Sequence, residues 1–160
     1  MAENSTEQPN TLIPMSVQQV IRILLIGAGV GVVTWGLTLL LDMYVVKAIV
    51  CQDAASTQCA SSFEYASISA SILAAGLGLL GLIRLQIFRA LLVVLAATIS
   101  LWGIELMMRP WGWQVALPTS LLLFMVAYSL FAWLARLRSF ILAVVIMLVL
   151  VVAVRLVINL

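Results

Sequence analysis

The sequence predicts an all-α integral membrane protein, a bundle of five transmembrane helices with the N-terminus inside and the C-terminus outside. Three observations carry that reading. Of the 160 residues, 65% are hydrophobic and only 9% charged, where soluble domains average roughly 45–50% and about 25%. So few charged side chains cannot cover a water-facing surface. The apolar residues also come in continuous blocks rather than at periodic positions, and the eight Lys and Arg residues sit at or near the edges of those blocks.

A hydrocarbon core of about 30 Å needs roughly 20 apolar residues in a helix. Five segments qualify, at about 23–41, 65–83, 90–108, 113–135 and 139–159. The first is uncharged from Ile23 to Leu41, with an extension toward Val46 past Asp42 as an option. The second, Tyr65 to Ile83, is dense in small residues, and the third, Ala90 to Met108, carries Glu105. The fourth holds Pro118 in its first turns, where a missing N–H costs least. The fifth is interrupted by Arg155, which a helix end tolerates because its long stem reaches the interface. The alternative is four spans, with both termini inside and the last segment along the membrane.

The cations set the orientation. With the N-terminus inside, Arg22, Arg84, Arg89, Arg136 and Arg138 gather on the inner side, and Lys47, Arg109 and Arg155 on the outer. Five against three, concentrated in the short 84–89 and 136–138 turns, fits positive-inside anchoring. Residues 1–16 form a polar tail without aromatics, expected to be disordered and cytoplasmic. The span that follows is too long for a signal-peptide core and is expected to stay as an anchor. The membrane domain then runs over 17–160, most simply in a bacterial cytoplasmic membrane, with an extracytoplasmic loop at 42–64.

That loop contains Cys51 and Cys59, separated by seven small or polar residues. In an oxidising compartment the pair reads as a structural disulfide. A redox role is disfavoured, because membrane thiol-oxidoreductases use a C-x-x-C pair, often with a second pair, and both are missing here.

Helices in lipid associate where small residues let backbones approach. In the second span Ala66, Ala70, Ala74 and Gly78 recur at steps of four, and in the first Gly27 and Gly31 have the GxxxG spacing. These two faces are expected to pack against each other. Gly27-Ala28-Gly29 is no dinucleotide fingerprint, since no strand precedes it and no third glycine follows at Val32. The serines Ser67, Ser69 and Ser71 are expected to bond to carbonyls one turn back.

An ionisable residue inside a span is a functional candidate by default. Glu105 is that residue, but Arg109 four residues later lies on the same helix face. An interfacial Glu105–Arg109 ion pair is therefore expected. Trp102, Trp111 and Trp113 fit an aromatic belt at the same border.

Other chemistries are excluded by inventory. There is no histidine, hence no imidazole metal site, Ser-His triad or histidine relay. Two cysteines cannot build a four-thiolate site, and the six acids form no catalytic pair. Scattered edge arginines do not make the concentrated basic face that nucleic acid needs. No catalytic, cofactor-binding or metal-binding residue is assigned.

The stretch 82–88 resembles 134–140, both at an inner turn and both leading into a Val/Leu-rich helix, which suggests a duplication. Arg22-Ile-Leu-Leu-Ile-Gly27 resembles the opening of GtrA-type proteins, small and usually four-span proteins implicated in moving polyprenyl-linked sugars. The likeness covers six residues, and the fifth span and the cysteine loop depart from that pattern.

The function expected is that of a non-enzymatic membrane protein, a structural, assembly or accessory subunit acting through helix contacts and its outer loop. Its partners would be the bilayer and other membrane subunits or a second copy, with no nucleic acid. The alternative is a small oligomeric transporter or channel, for a lipid-linked or small polar substrate, that uses Glu105.

Overall fold

The computed structural model describes residues 16–51, 59, 61–87, 89–137 and 139–159. The polar tail and most of the cysteine loop thus lie outside the described residues. Within them the elements are all helices: α1 (Val17–Leu41), α2 (Lys47–Val50), α3 (Ser62–Arg84), α4 (Ala90–Leu101), α5 (Ile104–Met108), α6 (Trp113–Leu134) and α7 (Phe140–Asn159). Three helical stretches, Val17–Ile49, Ser62–Arg84 and Trp113–Leu134, are long and apolar enough to cross a membrane. Their outward faces carry large apolar side chains, with Leu25 66% and Leu80 61% exposed. Such surfaces suit lipid rather than water.

The first helix begins about a turn and a half earlier than hydropathy indicates. Ser16 caps it: its side chain accepts from the Gln19 backbone N–H, and the Gln19 side chain accepts from the Ser16 N–H. This reciprocal box satisfies two donors that a helix start leaves open. At the other end α1 does not stop at Asp42. It passes through a π-helical turn, Asp42–Val46, into α2, making one rod of 33 residues to Ile49. At 1.5 Å per residue that is about 50 Å. The cysteine loop is accordingly much shorter than the 42–64 expected, because residues 42–50 and 62–64 are helical.

α1 packs along α6 and α3, while α4 packs along α6, α3 and α7. The result is a four-helix arrangement of α1, α3, α4 and α6, with α7 laid on its outside against α4. Tyr128 of α6 fills the middle. It is fully buried, and its hydroxyl points at Gly78 of α3, where a Cβ would collide with it.

The expected pairing of the two glycine-bearing faces needs correcting. Gly27 and Gly31 face α6, not α3: a Cβ at Gly27 would lie 2.9 Å from the Phe124 carbonyl oxygen, and one at Gly31 would lie 3.0 Å from Leu121 Cα. The close approach lets Ser120 Oγ donate to the Gly31 carbonyl at 3.3 Å. The row Ala66, Ala70, Ala74 and Gly78 is buried in the bundle, and Gly78 meets Val30 of α1 beside Tyr128. Both small faces are used, but the bulky partner that needed the space is a tyrosine on a third helix.

The third expected span is broken. α4 covers only Ala90–Leu101, about 18 Å. Trp102 then turns extended with ψ 125°, and Gly103 takes φ +83°, a left-handed conformation that favours glycine. α5 resumes at Ile104. Arg155 of α7 reaches this break, donating from Nη1 to the Trp102 carbonyl at 2.7 Å. The arginine therefore ties the last helix to the bundle at the break. At the opposite end Arg89 donates to the Leu137 carbonyl at 3.2 Å and lies over the Phe140 ring, tying the two turns rich in arginine together.

Cys51 and Cys59 form a disulfide, with Cα atoms 4.8 Å apart. It links the end of α2 to the chain entering α3. Replacing both with serine is expected to lower unfolding stability by roughly 2–3 kcal/mol, the loop-closure value for a ring this small. Thermal unfolding in mild detergent with and without reductant would measure it.

Candidate functional site

The disulfide end of the bundle holds a half-open cavity of about 300 Å³. It arises where α1 runs on past the point at which α4 breaks. α1 buries one stripe, Ile23, Gly27, Val30, Gly31, Thr34, Thr38 and Asp42, at helical steps of three and four. Thr34 and Thr38 return their hydroxyls to the carbonyls of Val30 and Thr34, at 2.7 and 2.8 Å, so they offer the cavity no free donor.

Asp42 is buried and doubly satisfied. Lys47 Nζ stands 2.7 Å from one oxygen, and Ser62 Oγ donates to the other at 2.9 Å. On a regular α-helix residues five apart point about 140° away from each other. The π turn, in which the Lys47 N–H bonds to the Asp42 carbonyl, brings them together. The pair also ties α1 to the first turn of α3, beside the disulfide.

Glu105 comes from the short helix after the break, and it lines the same cavity. It is only 4% exposed, and neither carboxylate oxygen has a hydrogen-bond partner. The expected ion pair is absent among the described residues: the Arg109 guanidinium instead lies over the ring of Phe63, 5.1 Å from its centroid. Helix spacing alone would have paired them. However, α5 is little more than a single turn ending at Arg109, and a weakly hydrated guanidinium is well accommodated on an aromatic face.

The remaining wall is aromatic. Trp35 of α1, Phe63 of α3, and Trp111 and Trp113 at the start of α6 all border the space. The expected Trp111 and Trp113 belt is thus partly a cavity wall. Trp35 had no motif to mark it. Its place follows from lying about one turn before Thr38 on α1, next to the buried stripe.

A second cavity, about 320 Å³, opens beside the helix break and is bordered by Glu64, Ser67, Trp102, Gly103 and Arg155. Ser67 and Ser71 are occupied, donating to the carbonyls of Glu64 and Ser67 at 2.9 and 2.8 Å. Among the described residues no group of three or more His, Cys, Asp or Glu is placed to hold a metal ion.

The first cavity is therefore the candidate site: two cations already engaged, one carboxylate engaged, and one carboxylate buried without a partner. Comparison with protein families, curated proteins and solved structures finds no match for this chain. The six-residue likeness to GtrA-type proteins stands alone.

Proposed function

We propose that this is a small, non-enzymatic, multi-pass membrane protein that binds a small solute or headgroup in the cavity at its disulfide end, with Glu105 as the recognising group. The single observation behind this is the unpartnered Glu105 carboxylate. Burying an ionisable group without a partner costs stability, and such a group inside a membrane domain marks a binding or transport role. A protein that needed Glu105 only for its fold would have paired it, as it pairs Asp42.

The reading comes with a topology. Arg22 and Asp42 bracket 19 uncharged residues of one helix, the length of a hydrocarbon core. Asp42 then sits at the outer border, N-terminus inside and C-terminus outside, and the cavity opens at that border. Five crossings follow if α4 with α5 makes one broken span and α7 another, in a cytoplasmic membrane of bacterial type. Single cysteines placed in the 84–89 turn of a C51S/C59S background are expected to label only from the inner side. Outer labelling there would reverse the orientation.

The function has its own test. Replacing Glu105 with Gln, and more so with Leu, is expected to raise the thermal unfolding midpoint, since it removes a desolvated carboxyl group that does not stabilise the bundle. A midpoint lowered by both substitutions would mean that Glu105 is structural.

An accessory-subunit role is the second reading, with the bilayer and other membrane subunits or self-association as partners. One observation favours it. Gly29, Gly36 and Gly76 meet nothing within 4 Å, leaving notches on outward faces of α1 and α3 of the kind another helix fills. A stable partner retained through mild-detergent purification would support it.

A further inference from the structure

Resting on the reading of the disulfide-end cavity as a binding site, we infer that its ligand carries an organic ammonium group, held between the Glu105 carboxylate and the aromatic wall. The charge inventory of the cavity leads there. Lys47 is held by Asp42 at 2.7 Å, and Arg109 is stacked on Phe63. Neither forms a salt bridge with Glu105, which borders the cavity and whose two oxygens are buried without a hydrogen-bond partner. The unmet interaction is thus that of a buried carboxyl group with a polar or cationic partner.

The wall specifies what kind of cation fits. Trp35, Trp111 and Trp113 border a space of about 300 Å³, together with Phe63, whose ring already carries Arg109. Indole faces attract cations through the ring quadrupole, best when the cation is weakly hydrated, and aromatic cages suit alkylated ammonium groups. An inorganic cation would demand several oxygen ligands, and among the described residues no group of three or more His, Cys, Asp or Glu is placed to supply them. The engaged cations, Lys47 and Arg109, also border the cavity and leave room for a polar remainder of the molecule.

The test uses the simplest quaternary ammonium probe and its neutral twin. Choline is titrated into purified protein in nanodiscs at constant ionic strength, beside its uncharged isostere 3,3-dimethylbutan-1-ol, and tryptophan emission is followed. Three of the five tryptophans border the cavity. Saturable choline binding is expected, with the alcohol weaker by about tenfold or more, the size of one charged contact. Glu105→Gln is expected to erase that preference. Equal binding of choline and the alcohol by the unaltered protein would overturn the ammonium assignment and keep the cavity as a binding site. Binding of neither would overturn both. Because the first comparison uses unaltered protein, a folding defect in the variant does not blunt it.

Discussion

Gly27→Val is expected to unfold the bundle in detergent under conditions where the parent is stable, a loss of about 3 kcal/mol or more. The magnitude follows from what the new side chain meets. Its Cβ alone would come 2.9 Å from the Phe124 carbonyl oxygen and 3.0 Å from Met125 Cα. Both are backbone atoms that no rotamer change can move. Overpacking of a tight contact ordinarily costs about 1–3 kcal/mol, and more when the backbone must yield. The added methyls also push on Tyr128, whose Cβ stands 3.1 Å from the same point and whose ring fills the bundle centre. The control sits on the same helix. Gly29→Val meets nothing within 4 Å, so it should shift the unfolding midpoint little in either direction. Equal midpoints for the two variants, measured by tryptophan emission or size-exclusion profile, would mean that α1 does not lie on α6 through Gly27.

That contrast bounds what the sequence disclosed. Composition and block length marked a membrane helical protein, and the spacing of Gly27, Gly31, Ala66, Ala70, Ala74 and Gly78 marked small buried faces. Which face met which was not legible. A GxxxG pair records that something comes close, and the something here is a tyrosine-bearing helix about 100 residues away. The disulfide was legible because nine residues of loop chemistry on one side of the membrane leave few options.

The site was half legible. Hydropathy singled out Glu105, and an i,i+4 rule then assigned it to Arg109. The rule holds for uninterrupted helices. Here the helix breaks at Trp102–Gly103 just before Glu105, and Phe63, 42 residues upstream, takes the arginine instead. The Asp42–Lys47 pair was missed for the converse reason. A spacing of five is silent on an α-helix and becomes a contact only in a π turn, here alongside Ser62 bonding Asp42 across helices. The capping box at Ser16 and Gln19 was legible in principle, as Ser-x-x-Gln before an apolar run. Hydropathy windows pass over it because Gln18, Gln19 and Arg22 are polar.

Arg155→Glu is expected to cost about 3–5 kcal/mol and to free the last helix from the bundle. In the parent, the guanidinium donates to the Trp102 carbonyl at 2.7 Å, a group that the helix break leaves without its usual N–H donor. Replacing the donor by a carboxylate sets two acceptors against each other in a partly buried, lipid-flanked position, and a charge without a partner there is the expensive case. Arg155→Met, which keeps much of the stem, should cost less, about 1.5–3 kcal/mol for one lost charged hydrogen bond. Because α7 packs chiefly on α4, the loss should be local before it is global. Amide exchange is expected to rise first over Trp102–Met108 and along α7, while the α1–α6 contact stays protected. Uniformly raised exchange across the whole chain would instead make Arg155 part of the central packing. No change in either segment would mean that the helix break is held by Gly103 alone, and that the charge in the last helix serves something other than docking it.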